Sequence, residues 1–361
     1  VIPALAMAEA LLRRAPAARV HFVGGRRGIE GRLVPDAGFS LTRLPAFGMR
    51  GLGAFGLLRF GFGFIAAIPA MIGLKIARRP GLVVATGGYA SAAPAMIASL
   101  LGTPLWLQEQ NSAPGSTNRV LARRAERAYV AFAGARELLA PAEIIDMPNP
   151  VRAGVREGAR SGPTPADFTQ FGLEAGRKTL LIFGGSRGAA TLNRAIEGAI
   201  GRIMHDTEWQ VLAQTGEEDL EGTRIIVTRE VDDRPSRVRV LPFIEDMGAA
   251  WRIADLVICR AGAMTLAELA TVGKASVLVP YPHATDDHQR HNARELVECG
   301  AARMVEDSQF NADRLMDEIA WFEEDAGRAE LMSNAARRWG GEGDAADRIA
   351  ADILERIGSD A

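Results

Sequence analysis

Short apolar runs that break into glycine turns and then into helices recur along this chain, and they leave few folds open. The clearest is Leu256 to Cys259, followed by Arg260-Ala261-Gly262-Ala263 and a helical pattern with Leu266, Leu269 and Ala270 on its apolar face. A strand without polar alternation is the kind buried on both faces of a parallel sheet, and small residues at its end permit a tight turn into a crossover helix. The same unit reads at Leu82 to Ala85 before Thr86-Gly87-Gly88-Tyr89-Ala90-Ser91, and at Thr179 to Phe183 before Gly184-Gly185-Ser186-Arg187-Gly188-Ala189. Trp209 to Ala213, Val238 to Leu241 and Ala275 to Val279 continue the alternation. The expectation is an α/β chain of two Rossmann-like, doubly wound domains facing a cleft.

A length of 361 residues is long for a single core. Asn149-Pro150-Val151-Arg152 reads as the crossing, which places domains at 1–149 and 150–341, with the helical segment 342–361 packing back on the first. Arg156 to Lys178, rich in glycine, proline and charge, is expected to be mobile or peripheral. Val1 to Arg14 has helical spacing but no strand and glycine turn feeding it, so the natural start, a strand and Gly-rich loop, is expected to be missing.

Composition narrows the function classes. A hydrophobic share of 48% with 24% charged residues suits a soluble globular enzyme, and a net charge of -2 argues against general binding of nucleic acid. Cys259 and Cys299 lie far apart and read as free thiols in a reducing compartment. The uncharged run Pro80 to Gln108 exceeds the ~20 residues of a membrane span. Its internal Gly87-Gly88, Pro94 and Gly102-Thr103-Pro104 nevertheless divide it into strand, helix and strand. The N-terminus is apolar first and basic after, the reverse of an export signal. Phe47 to Arg79 mixes apolar anchors with Arg50, Arg59, Lys75, Arg78 and Arg79 and has no acid, which suits an anionic membrane surface or, equally, helices packed on a sheet with basic outer faces. Within it the loop Phe47 to Phe55 is the part expected to be exposed enough to touch lipid.

The ligand chemistry concentrates after two strands. Unpaired N–H groups where the Ala263 helix begins favour a phosphate. Thr265 reads as an N-cap, and Glu268 three residues on either closes a capping box or accepts two hydrogen bonds from the vicinal hydroxyls of a ribose. The loop after Val279 holds His283, Asp286, Asp287, His288, Gln289 and His291, for which a solvated loop, a metal site and sugar recognition by Gln289 and Asn292 compete. Sugar recognition is favoured, because no spacing matches a zinc motif and an amide both donates and accepts. Asp286-Asp287 could equally cap the next helix. The turns at Gly87 and Gly184 are further candidate anion sites, and Gln108-Glu109-Gln110-Asn111 at a strand end should face the crevice. Backbone at Ile244 could present the N–H and C=O pair that a uracil edge demands.

Taken together, GGYAS at Gly87, EQN at Glu109, NPVR at Asn149, GGSRGA at Gly184, FIEDM at Phe243, RAGAMTLAE at Arg260 and HQRHNA at His288 resemble the MurG family, bacterial glycosyltransferases of family 28 with the GT-B fold. The resemblance covers essentially the whole chain. It implies transfer of N-acetylglucosamine, with inversion, from UDP-N-acetylglucosamine to the C4 hydroxyl of undecaprenyl-pyrophosphoryl-N-acetylmuramyl-pentapeptide, in peptidoglycan synthesis. The site would be a peripheral one at the cytoplasmic face of the bacterial inner membrane, with no metal and no cofactor. By the same resemblance Asn111 and Gln289 contact the donor sugar, Arg152 and Ile244 the uracil side, Ser186 the diphosphate and Glu268 the ribose. Ala263, Met264 and Thr265 supply helix-start N–H groups, Glu268 and Gln289 support catalysis, and Gly87, Gly88 and Tyr89 lie on the acceptor side. The family's general base is a His in the N-terminal loop, which would fall just before Val1. Two rival readings are a fragment that binds UDP-sugar without turning it over and a nucleotide-sugar epimerase of the same fold.

Overall fold

The computed structural model describes residues 1–26, 28–45, 53–185, 188–231, 237–341 and 343–358, with side chains of 53–60, 159–160 and 326 excepted. Two compact units result, one of Val1–Arg152 with Gly343–Ala361 and one of Ala153–Glu342.

In the first unit, β1 (His21–Gly25) and β2 (Ser40–Leu44) form a parallel pair. A second parallel sheet runs in chain order through β3 (Val83–Ala85), β4 (Leu105–Glu109), β5 (Arg127–Val130) and β6 (Glu143–Asp146). The helix Ile2–Arg14 packs against the helix Ala345–Gly358 through Ala6, Ala10, Ala346 and Ala350, small side chains that let two backbones approach. Arg14 Nη2 lies 2.6 Å from Asp347 Oδ2, and Arg356 Nε lies 3.3 Å from Glu126 Oε2, so the C-terminal helix is tied to this unit at both ends.

The long helix Gly53–Arg78 buries Ala67 and Met71 against Ala93, Ile97 and Ala98 of the helix Tyr89–Leu100. Its other face is open, with Phe62 69%, Ile65 68% and Ile76 71% exposed. The expectation that only the Phe47–Phe55 loop is exposed enough to touch lipid is therefore corrected. Phe47 to Leu52 lie outside the described residues, and apolar exposure continues along the helix. Length and composition would allow Gly61–Arg78 to cross a membrane, with 17% of that window buried inside the fold.

The second unit is one parallel sheet made of β7 (Thr179–Phe183), β8 (Gln210–Gln214), β9 (Val238–Leu241), β10 (Leu256–Cys259), β11 (Ala275–Leu278) and β12 (Arg303–Met304). The spatial order β12-β11-β10-β7-β8-β9 is that of a dinucleotide-binding Rossmann sheet. The chain winds outward from β7 to β9 and then restarts on the other side of β7 with β10. Leu180, Ile182, Val211, Leu256, Ile258 and Val277 belong to a core shared with Leu192, Ile196, Ile200 and Ile203 of the helix Ala190–Asp206. Full burial on both faces explains why these strands read as uninterrupted apolar runs.

The segment 156–178, expected to be mobile or peripheral, is largely exposed and is anchored at a few points. Thr164 and Asp167 form a reciprocal capping box at the helix Pro165–Thr169, and Asp167 also takes Arg252 Nε at 3.0 Å and Nη2 at 2.5 Å. This bidentate pairing holds the Asp167 carboxyl well below the usual carboxylate range. Phe168, Phe171 and Leu173 are buried beneath it.

Candidate active site

A Rossmann sheet binds its ligand beyond the carboxyl ends of the strands where the winding reverses. Here that switch point lies between β7 and β10, which pair in parallel register from Leu180–Leu256 to Phe183–Cys259. Both strands end in small-residue turns that open helices. After β10, Gly262 is the N-cap of the helix Ala263–Val272 and, as a glycine, offers no side-chain cap of its own. Thr265 is thus the third residue inside the helix, and the capping box expected from the sequence does not form. The competing structure was local: Gly262 already supplies the extended residue that precedes a helix, so the hydroxyl is not needed there.

Glu268 is thereby released from the cap. It is half-buried, one turn into the helix, and Trp251 Nε1–H donates to its Oε2 at 3.3 Å. Trp251 is 1% exposed and meets Phe183 edge to face, with centroids 5.7 Å apart. A rigid indole therefore orients the carboxylate. Nothing in the spacing of Trp251 and Glu268 announces this contact, because it joins two helices.

After β7, Gly184 approaches the next helix so closely that a Cβ there would lie 2.3 Å from the Ala189 Cβ, and Gly185 has φ +92°. Gly188, at φ +74°, faces the end of β8, where a Cβ would meet the Thr215 carbonyl oxygen at 1.7 Å. Ser186, assigned to the diphosphate by resemblance, and Arg187 lie outside the described residues. Asp307 links the two turns. Its carboxylate accepts Arg260 Nη1 at 2.5 Å and Thr191 Oγ1 at 3.1 Å, while Arg260 Nη1 also donates to the Val279 carbonyl at 3.1 Å.

Two expectations about amides change. Ile244 is fully buried, and its N–H donates to Gln214 Oε1 at 2.8 Å, so the N–H and C=O pair expected for uracil is reduced to the carbonyl. Asn292 is also fully buried, with its Nδ2 donating to the Ala261 carbonyl at 3.4 Å. It braces the turn before the Ala263 helix instead of gripping a sugar. Gln289 remains half-buried in the first turn of the helix His288–Glu298, with Oε1 accepting the Tyr281 N–H at 3.0 Å. That orientation leaves its Nε2 without a protein acceptor among the described residues. Asp286 and Asp287 do not cap this helix by side chain. They instead take left-handed backbone at φ 53° and 51°, an unfavourable conformation for non-glycine residues that tends to persist at binding loops. Among the described residues no cluster of His, Cys, Asp or Glu could hold a metal ion.

In the first unit, Gln108 and Glu109 lie inside β4 and are buried, so they shape the loop instead of facing a crevice. Gln108 Nε2 donates to Asn149 Oδ1 at 2.7 Å. Glu109 accepts the Asn111 N–H at 3.0 Å, the Gly115 N–H at 3.3 Å and Asn118 Nδ2 at 2.8 Å. Burial pushes its carboxyl up, and these donors oppose that. A Cβ on Gly87 would contact Asn118 Nδ2 at 3.2 Å, so the Gly87 turn and the Asn111 loop meet at Asn118. Gly87 and Gly88 both have φ +78°, which glycine alone adopts without strain. Gly88 caps the helix that begins with Tyr89, itself exposed. Arg152, the last residue before the second unit, is exposed.

A Rossmann sheet with a glycine-capped helix start and a carboxylate beside its switch point, on a chain with a second parallel α/β unit, has the architecture of the GT-B class of nucleotide-sugar enzymes. The chain belongs to glycosyltransferase family 28, matching that family's N-terminal domain over residues 1–130 and its C-terminal domain over residues 179–352. It is 40% identical over 356 residues to the UDP-N-acetylglucosamine--N-acetylmuramyl-(pentapeptide) pyrophosphoryl-undecaprenol N-acetylglucosamine transferase of Chlorobaculum parvum, covering 96% of this chain and 93% of that one. To the enzyme of the same name from Acidithiobacillus ferrooxidans it is 39% identical, with 99% and 95% covered. The solved structure of MurG from Acinetobacter baumannii superimposes with a TM-score of 0.73 at 28% identity, over 98% of this chain and 95% of that one.

Proposed function

We propose that this protein transfers N-acetylglucosamine from UDP-N-acetylglucosamine to the C4 hydroxyl of undecaprenyl-pyrophosphoryl-N-acetylmuramyl-pentapeptide, with inversion, in peptidoglycan synthesis. The observation that carries the reading is the start of the Ala263 helix at the sheet's switch point, with Gly262 as its N-cap and Glu268 oriented one turn in. N–H groups of Ala263, Met264 and Thr265 face the diphosphate, Glu268 accepts both ribose hydroxyls, and the Ile244 carbonyl accepts the uracil N3–H. Gln289 Nε2 and Asn111 hold the donor sugar, Arg152 assists at the uracil side, and Ser186 adds a hydroxyl to the diphosphate. Gly87, Gly88 and Tyr89 form the acceptor-side turn.

The acceptor oxygen attacks the anomeric carbon as the bond from that carbon to the β-phosphate oxygen breaks. The hydroxyl proton passes to a general base, and UDP departs with the bonding electron pair. Helix-start N–H dipoles stabilise the charge gathering on the leaving diphosphate, because they point at it before the reaction begins. Calorimetry with UDP-N-acetylglucosamine beside a turnover assay on the lipid-linked acceptor tests this. Binding is expected together with release of UDP matched by disaccharide formation. Epimerised donor, or UDP-sugar binding without transfer, would sink the proposal.

The acceptor is a membrane lipid, and the exposed face of Gly53–Arg78 suits the surface that carries it. Phe62, Ile65 and Ile76 stand out from a helix whose opposite face is packed, with Arg78 and Arg79 exposed at its end. Such an exposed apolar face with basic residues at its end suits contact with an anionic membrane surface. The working place is then the cytoplasmic face of the bacterial inner membrane. Sedimentation with phosphatidylglycerol vesicles is expected to capture the protein, phosphatidylcholine vesicles to capture little, and Ile65→Glu with Ile76→Glu to reduce capture by roughly tenfold or more. Equal capture of that double variant would remove this helix from the membrane contact.

A further inference from the structure

Gln214 closes β8, is 4% exposed, and has both ends of its amide committed to backbone far away in sequence. Its Nε2 donates to the Gly185 carbonyl at 2.8 Å, and its Oε1 accepts the Ile244 N–H at 2.8 Å. Gly185 lies in the turn that opens the helix Ala190–Asp206, and Ile244 lies in the loop after β9. The next residue, Thr215, continues the contact. Its carbonyl faces Gly188 and accepts Asn193 Nδ2 at 3.1 Å.

We infer that Gln214 is a positioning residue that sets the spacing between the glycine turn at the diphosphate and the Ile244 loop at the base, so that both halves of a uridine diphosphate are met in one geometry. This rests on the nucleotide-site reading above. The chemistry is selective for an amide: one end must donate to a carbonyl and the other must accept from an N–H. A carboxylate can only accept, and a thioether of similar length supplies no N–H or O–H donor. Committing the Ile244 N–H to Gln214 also leaves the Ile244 carbonyl as the group turned to the base, which favours a ring with an N–H at that edge over one with an acceptor.

The test compares UDP binding by calorimetry for the wild type, Gln214→Glu and Gln214→Met in the full chain, from pH 5.5 to 8.5, with thermal unfolding alongside. At pH 8 both variants are expected to bind UDP on the order of tenfold more weakly than wild type, since each leaves a buried backbone group unpaired. Lowering the pH is expected to bring Gln214→Glu back toward wild type measured at the same pH. Its buried carboxyl then carries a proton, whose O–H replaces the amide donor to Gly185 while the other oxygen still accepts from Ile244. Gln214→Met is expected to show no such recovery, and in turnover Gln214→Glu is expected to raise KM for the donor with kcat within about threefold. Affinity within twofold of wild type for Gln214→Glu at pH 8, or a deficit that does not change with pH, overturns the role. Should Gln214→Met fail to fold, the pH series of Gln214→Glu decides alone. A wild type that does not bind UDP defeats the nucleotide-site reading itself, and the role of Gln214 falls with it.

Discussion

Glu268→Ala is expected to lower kcat/KM for UDP-N-acetylglucosamine by on the order of 10²-fold or more, because two charge-assisted hydrogen bonds to the ribose are worth about 3 kcal/mol or more together. The sharper readout is discrimination at the sugar of the nucleotide. Wild-type protein is expected to prefer UDP to 2′-deoxy-UDP by at least tenfold, and the alanine variant to treat the two alike. The carboxylate also receives Trp251 Nε1–H, so its removal strands a buried donor as well. Glu268→Gln separates these effects: the amide oxygen keeps the indole bond while the charge is lost. A glutamine variant folded like wild type but indifferent to the 2′-hydroxyl places the ribose on Glu268. Undiminished preference for UDP in both variants would move the ribose elsewhere.

The second large effect belongs to Gly188. An alanine Cβ would come within 1.7 Å of the Thr215 carbonyl oxygen, a backbone atom that is further held by Asn193. No rotamer relieves such a contact, and φ +74° already disfavours any side chain. The turn must therefore leave its place or the end of β8 must shift. Gly188→Ala is expected to destabilise the protein by at least about 3 kcal/mol, a drop of roughly 6–12 °C in Tm for a domain of this size, and to weaken UDP binding by ~10²-fold. Scanning calorimetry with and without UDP measures both. Gly222→Ala is the control, because its added Cβ meets nothing within 4 Å. Equal behaviour of the two variants would show that the turn tolerates displacement.

Both predictions start from motifs visible in the chain, yet their force comes from contacts that the motifs do not contain. The strands Thr179–Phe183 and Leu256–Cys259 were readable to the residue, because burial on both faces erases polar alternation and leaves an unmistakable run. Glycine turns after them were readable for the same local reason. Composition marks the segment 156–178 as mobile or peripheral but does not reveal its anchor, because Arg252, which pairs with Asp167, lies far along the chain. Gln214 carries the same sequence signal as Gln108, a polar residue at the end of an apolar strand, but the partners that give it a role lie outside its own neighbourhood.

What the chain determined by itself was periodic or local: two α/β units, parallel strands, and a phosphate-seeking helix start beside an acid. Spacing of neighbours governs those features, and a resemblance spread over seven motifs supplied the chemistry. Tertiary structure alone decided which polar atoms are still available to a ligand. Strand order β12-β11-β10-β7-β8-β9 brings Gln214 to Gly185 and Ile244, and helix packing brings Trp251 to Glu268. A buried N–H or carbonyl takes whichever partner the fold sets within about 3 Å, and that partner can lie anywhere along the chain.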